Sequence, residues 1–150
     1  MSVLLTTTID IAATPQDVWA VLSDFPQYGL WSNFSEIEGE AEEGARLAMR
    51  MPGFSFGSTV TIAVPGEQLQ WSAKILSERL FLGRHTFTLV ANGDGTTRVT
   101  NSEEFSGASV APFQRLFKGD GDGGGYAAFN RGLKERVETL AARRPVRSAG

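Results

Sequence analysis

The sequence predicts one α+β domain, in which an antiparallel sheet is formed by consecutive strands and the helices are grouped apart from it. Three observations predict this class. The chain has 150 residues, the size of a single domain. Apolar residues alternate with small or polar ones through the middle of the chain. Near both ends, apolar residues recur at helical spacing instead. The predicted order is a strand, one or two helices, five or six strands and a long helix.

The first elements are indicated by alternation and by capping residues. Residues 3–11 alternate and predict a strand. A helix is expected to begin at Pro15, because Thr14 can cap it and proline suits the first helical position. Pro26 should end that helix, and a second short helix or turn is expected over 27–31.

Period two then continues from residue 47 to residue 105. The longest run, Phe54 to Val64, alternates over eleven positions and gives the clearest strand signal in the chain. Pro52-Gly53 and Pro65-Gly66 indicate turns, and Asn92–Gly95 indicates a tight hairpin. These strands should therefore form a meander, each with one apolar face.

A glycine-rich segment, Gly119–Gly125, precedes the last helix. Five glycines in seven residues disfavour a continuous helix, so we expect a break there, with a short helix over Val110–Lys118 before it. The segment is either a mobile gate over a pocket or a flexible connector. Helical spacing from Tyr126 to Leu140 predicts the final helix. The predicted domain covers 1–142, followed by a flexible basic tail over 143–150.

The composition excludes several kinds of site. There is no Cys and only one His, so disulfides, Cys-ligated metals and multi-His metal centres cannot form. With 14 Lys and Arg against 17 Asp and Glu, the net charge is −3, and the basic excess of a nucleic-acid binder is lacking. The first eight residues match neither a signal peptide nor a membrane span, so we expect a cytoplasmic protein. The ten Phe residues point to an aromatic interior.

Several segments, taken in order and spacing, resemble one known superfamily. They are Ile9–Trp19, Asp24–Tyr28, Trp31–Phe34, Gly95–Thr100, Glu103–Gly107 and Phe129–Glu138. Together they resemble the START/SRPBCC superfamily, which has the helix-grip fold, near its polyketide cyclase/dehydratase-like branch. The resemblance implies a curved antiparallel sheet of about seven strands around a long C-terminal helix. It also implies a cavity between sheet and helix that takes lipids, steroids, polyketides or similar molecules.

Strand alternation predicts which side chains face that interior. The expected ligand-binding side chains are mostly apolar: Met49, Met51, Phe56, Ser58, Val60, Trp71, Ala73, Phe87 and Phe105 on strands, with Tyr126, Phe129 and Leu133 on the last helix. Mostly apolar walls with a few polar groups are typical of a ligand pocket, although the same pattern also describes an ordinary core.

Three polar residues, His85, Asn101 and Glu103, share this apolar face and are the candidate catalytic residues. Their two strands are consecutive, so the side chains should lie near each other. One hypothesis is that they only satisfy each other, as buried polar groups usually do. The other is that they orient or activate a ligand, because histidine titrates near neutrality and a neighbouring carboxylate can fix its tautomer.

Three functions stay open at this point. The first is a carrier or sensor that binds a small hydrophobic molecule. The second is a cyclase, dehydratase or isomerase that needs no cofactor and moves protons with His85 and Glu103. The third is an interaction protein like the chaperone regulators of the superfamily, whose sign would be an exposed apolar patch. No metal, cofactor, nucleic acid or membrane span is expected, and the chain is expected to be a monomer or homodimer.

Overall fold

The computed structural model describes residues 2–110 and 124–143. Its elements follow in order: β1 (Ser2–Ile11), α1 (Pro15–Leu22), a 3-10 helix (Phe25–Leu30), β2 (Glu36–Glu38), β3 (Arg46–Met51), β4 (Phe54–Val64), β5 (Gln68–Ile75), β6 (Ser77–Ala91), β7 (Thr97–Ser106) and α2 (Gly124–Ala142).

All strands belong to one antiparallel sheet. Its order is β1-β7-β6-β5-β4-β3-β2, so every strand from β2 onward pairs with its neighbour in sequence and β1 closes the row beside β7. The sheet curves around α2, with the two short helices after β1 on the same side. This arrangement confirms the predicted α+β class and the helix-grip architecture.

The short helices begin where the sequence indicates. The Thr14 side chain accepts a hydrogen bond from the backbone N–H of Asp17 (3.2 Å), and Pro15 occupies the first turn of α1. This helix ends at Leu22 rather than at the predicted Pro26, because Pro26 instead lies in the first turn of the following 3-10 helix. The predicted second helix is therefore present and includes Phe25.

The alternation of β4 is interrupted, which corrects one prediction. The sequence places Val60, Ile62 and Val64 on a single face. The register with β5 shifts between Val60 and Ile62, as at a β-bulge. Since an extra residue turns the following side chains over, Val64 becomes exposed and Ala63 packs against the core instead.

The main cluster of buried side chains lies between the sheet and the helices at one end of the concave face, and a smaller cluster contains Val3, Phe105 and Val110. Phe129, Leu133 and Val137 of α2 are buried there, as their helical spacing predicts. Gly132 lets the helix approach closely, since a Cβ at this position would lie 2.2 Å from the carbonyl oxygen of Trp31. This close approach fixes α2 against the segment that follows the 3-10 helix.

Some predictions concern residues outside the described part. The expected helix over Val110–Lys118 falls there apart from Val110, and so does most of Gly119–Gly125, of which only the last two residues are described, as the start of α2. The tail beyond Arg143 is also outside it. Within residues 2–110 and 124–143, no helix is both long and apolar enough to cross a membrane.

Candidate ligand cavity

A cavity of about 730 Å³ lies between the concave face of the sheet and the start of α2. Its walls are mainly apolar and aromatic. They consist of Asn33, Phe34, Met51, Phe54, Ser55, Phe56, Gly57, Trp71, Ala73, Lys74, Ile75, Phe81, Gly83, His85, Glu103, Phe105, Gly125, Tyr126 and Phe129. This volume lies within the range of about 300–1,000 Å³ that is usual for small-molecule sites.

The structure divides the predicted site residues into two groups. One group lines the cavity: Met51, Phe56, Trp71, Ala73, His85, Glu103, Phe105, Tyr126 and Phe129. The other group points inward but is buried away from the cavity: Met49, Ser58, Val60, Phe87, Asn101 and Leu133. In this second group, the Ser58 hydroxyl contacts the Met49 sulfur at 2.8 Å, so this hydroxyl is used inside the protein.

Strand register explains this division. Inward side chains of β5, β6, β7 and β1 form three successive rows across the sheet. The packed row is Leu69, Phe87, Asn101 and Thr7; the polar row is Trp71, His85, Glu103 and Leu5; the hollow row is Ala73, Gly83, Phe105 and Val3. The cavity begins at the polar row and continues over the hollow row, where two members of the row have little or no side chain.

Some lining residues were missed by the sequence analysis. Phe81 and Gly83 alternate in phase with His85, so the period of β6 could have identified them. Asn33 and Phe34 come from the loop between the 3-10 helix and β2, where no periodicity indicates orientation. Lys74 lies beside the register shift at the end of β5, which the sequence does not reveal.

The rim of the cavity is exposed. Phe54 and Ile75 are 58% and 59% exposed, and Lys74 is exposed beside them. The side chains of His85 and Glu103 are only 11% and 19% exposed. The cavity therefore runs from an exposed rim to a polar group at its inner wall.

The inner wall carries a connected set of three polar side chains. Nδ1 of His85 lies 3.1 Å from Oε2 of Glu103, and the Tyr126 hydroxyl donates a hydrogen bond to the same oxygen (2.9 Å). The imidazole stacks on Phe87, with ring centroids 4.6 Å apart, and lies 5.2 Å from the Trp71 ring. Aromatic packing thus fixes the plane of the imidazole, while His85 and Tyr126 meet at one oxygen of Glu103.

A chain of amides behind this wall fixes the tautomer of His85. Thr7 Oγ1 donates to the backbone carbonyl of Asn101 (3.4 Å), and Asn130 Nδ2 donates to Thr7 Oγ1 (2.8 Å). Asn101 Nδ2 then donates to Asn130 Oδ1 (2.9 Å), which leaves Asn101 Oδ1 to accept from His85 Nε2 (2.6 Å). Because that oxygen can only accept, Nε2 must carry a proton.

The same tautomer defines the contact between His85 and Glu103. With Nε2 protonated, a hydrogen bond between Nδ1 and Oε2 requires one further proton, carried by the imidazole or by the carboxyl. Burial raises the pKa of Glu103, but the hydrogen bond and charge of His85 and the hydrogen bond from Tyr126 outweigh burial and leave that pKa below its usual value. This favours the ionised form of Glu103.

Tyr126 is held in its neutral form. Burial, the nearby charge of Glu103 and the hydrogen bond to Glu103 all raise the pKa of the Tyr126 hydroxyl. It therefore acts in this site as a hydrogen-bond donor. Within residues 2–110 and 124–143, no group of three His, Cys, Asp or Glu side chains is arranged to hold a metal ion.

Comparison with solved structures supports the fold. Norcoclaurine synthase from Thalictrum flavum, in complex with dopamine and hydroxybenzaldehyde, is 14% identical with a TM-score of 0.71, covering 97% of this chain and 90% of that one. A hypothetical protein from Helicobacter pylori is 15% identical with a TM-score of 0.74, covering 90% and 88%. A START superfamily protein from Mycobacterium smegmatis is 16% identical with a TM-score of 0.63, covering 91% and 98%.

Comparison at the level of sequence identifies the family. A search of curated proteins found no match. The family model for polyketide cyclase/dehydrase and lipid transport proteins, however, matches residues 2–143, which is nearly the whole chain. The superfamily expected from the sequence segments is thereby confirmed. This chain belongs to the polyketide cyclase/dehydrase and lipid transport family.

Proposed function

We propose that this protein binds a small, mainly aromatic or aliphatic molecule in the cavity between the sheet and α2, as a carrier or sensor. The observation that carries the proposal is the cavity of about 730 Å³, which combines aromatic walls with one polar cluster at its inner end. Apolar walls supply affinity through burial, and a few polar groups orient the ligand. The family includes lipid transport in its description, which agrees with this role.

A substitution that fills the cavity tests the proposal. Ala73 is half-buried and lines the cavity, so Ala73→Leu places a branched side chain in the ligand volume. Ala48→Leu is the matched control, because Ala48 lies on the exposed face of β3. The readouts are fluorescence of the neutral apolar dye Nile red and quenching of Trp71, which lines the same cavity.

The expected result is saturable Nile red binding by the wild-type protein and by Ala48→Leu, and binding weakened about tenfold or more by Ala73→Leu. Ala73→Leu should unfold at the same denaturant concentration as the wild type or a higher one, because it fills empty space. If the wild-type protein binds neither Nile red nor fatty acids nor aromatic compounds, the proposed function is wrong.

A second candidate, acid–base catalysis, is favoured by one specific observation. Glu103 is a carboxylate at the wall of a mainly apolar cavity, and its lowered pKa keeps it ionised near neutral pH. An ionised carboxylate in contact with a bound substrate can act as a general base. In an isomerase or cyclase, it would take a proton from a carbon beside a carbonyl. The electron pair of the broken C–H bond would move onto the carbonyl oxygen, and the proton would return at another atom.

A substrate-independent probe tests this candidate. Nitrobenzisoxazole reports on bases in apolar sites, since loss of its C–H proton opens the N–O bond and yields a coloured phenolate. We expect the wild-type protein to accelerate this reaction, Glu103→Gln to abolish the acceleration and Glu104→Gln to leave it unchanged, because Glu104 pairs with Arg84 (3.8 Å) and points to the opposite face. Equal rates with wild type and Glu103→Gln would exclude Glu103 as the base.

A further inference from the structure

The polar groups of the cavity differ in depth, and only one set meets the buried end of a ligand. Asn33, Ser55 and Lys74 are exposed at the rim. His85 and Glu103 lie at the inner wall, with the Tyr126 hydroxyl bonded to Glu103. A ligand that fills the cavity therefore places its inner end against this set.

The hydrogen-bond donors of the inner wall are already used within the protein. The Tyr126 hydroxyl donates to Glu103 Oε2, and His85 Nε2 donates to Asn101 Oδ1. His85 Nδ1 faces the same Glu103 oxygen at 3.1 Å. The Asn101 amide donates away from the cavity, to Asn130. Among residues 2–110 and 124–143, a ligand carbonyl or ether oxygen would therefore meet no free side-chain donor at this wall.

One acceptor stays available. Both hydrogen bonds to Glu103 reach Oε2, and no hydrogen bond among residues 2–110 and 124–143 reaches Oε1. A carboxylate accepts several hydrogen bonds, and a buried one that lacks them is destabilised. The side chain is 19% exposed and lines the cavity, so Oε1 can be reached from within it.

We propose that the inner end of the ligand carries an O–H or N–H donor, such as a phenol, an alcohol or an amine, which binds Glu103 Oε1. This inference rests on the proposed function and narrows it to one ligand class. Hydrogen bonds to a charged acceptor are stronger than those between neutral groups. Ketones and ethers offer Oε1 only lone pairs, and a carboxylate is repelled by it. The aromatic side chains around Glu103 favour an aromatic or cationic donor.

Three naphthalenes of nearly equal size test the inference. Naphthol carries the donor, methoxynaphthalene has the same shape without it, and naphthoate carries a negative charge. Binding is measured by isothermal titration calorimetry and by quenching of protein fluorescence. We expect naphthol to bind about tenfold or more tightly than methoxynaphthalene, and naphthoate to bind weakest.

Two variants test whether Glu103 is responsible for the tighter binding of naphthol. Glu103→Gln should reduce the naphthol-to-methoxynaphthalene ratio severalfold, because a neutral amide replaces the charged acceptor. Glu104→Gln, on the outer face, should leave the ratio unchanged. The wild-type ratio is informative even if Glu103→Gln folds poorly.

The outcomes separate the two proposals. Equal binding of naphthol and methoxynaphthalene by the wild-type protein overturns the donor inference and leaves the cavity as a ligand site. A donor preference that survives unchanged in Glu103→Gln overturns the assignment to Glu103. If none of the naphthalenes binds and Nile red also fails to bind, the proposed function and the inference are both wrong.

Discussion

The two ends of the concave face differ although the same strands build both. In the packed row, Phe87 lies against Phe129 of α2 with stacked rings 5.3 Å apart, and the side chains are buried. Four residues away on each strand, the hollow row has Ala73 and Gly83 in place of large side chains. The comparison teaches that side-chain size in β5 and β6, together with the packing of α2, decides where along the concave face the cavity lies.

The polar row lies at the border between these two ends. Buried polar groups need partners, and the packed side supplies them through Asn101 and Asn130. On the hollow side, Glu103 keeps one oxygen directed to whatever fills the cavity. A packed region thus holds the polar groups rigidly, while the hollow region presents them.

The largest expected effect on stability comes from replacing a phenylalanine by alanine, and it should differ between the two ends of the concave face. Phe87→Ala removes a fully buried ring from the packed row and should lower the free energy of unfolding by about 3–5 kcal/mol. Phe56→Ala should cost clearly less, because this ring lines the cavity and is only half-buried. Urea unfolding measures both. Equal losses would contradict the distinction between a packed and a hollow end.

Substitution of two glycines of α2 is expected to change the free energy of unfolding by an intermediate amount. Gly132→Ala should lower the free energy of unfolding by about 1–3 kcal/mol, because its Cβ would lie 2.2 Å from the Trp31 carbonyl oxygen. Gly125→Ala, at the cavity end, meets its nearest neighbour, Asn33 Nδ2, at an ordinary 3.5 Å. This second variant should be neutral or stabilising by up to about 1 kcal/mol, through helix propensity. Thermal unfolding of both variants measures the contrast, and a stabilising Gly132→Ala would refute the close contact.

The smallest expected effect concerns the polar row and pH. Because the pKa of Glu103 is lowered in the folded protein, its ionised form stabilises the fold above the unfolded pKa of about 4.5, and this contribution is lost as the pH falls through the folded value. The stability difference between wild type and Glu103→Gln should therefore shrink between about pH 6 and pH 3. Melting temperatures of wild type and Glu103→Gln measured across this range test the prediction, with Glu104→Gln as the control. If the stability difference grows on acidification, the pKa of Glu103 is raised rather than lowered in the folded protein.

Much of the fold and part of the site could be predicted from the sequence. Alternation placed His85, Asn101 and Glu103 on one face, and the Asn92–Gly95 turn set the register that brings them together. These features depend on local chemistry, namely side-chain period and turn residues, which a sequence states directly.

The division between core and cavity could not be predicted in the same way. Phe87 and Phe105 have identical periodicity, and only the three-dimensional packing of α2 decides that the first is enclosed and the second lines a cavity. The bulge after Val60 likewise depends on pairing with β5 rather than on local sequence. The available oxygen of Glu103 follows from the orientation of Asn101 and Tyr126, which no spacing encodes.

The amide chain behind His85 also constrains how the protein folds. Asn130 joins Thr7 across 123 positions of the chain and Asn101 across 29. During synthesis, β1, β6 and β7 are complete before Asn130 is made, and until then Asn101 lacks the partner that orients it. The hydrogen bonds that orient Asn101 are therefore complete only with α2 in place on the sheet. A chain that stops before Asn130 would lack the acceptor that orients the Asn101 amide, so the polar set of this site depends on residues from widely separated parts of the polypeptide.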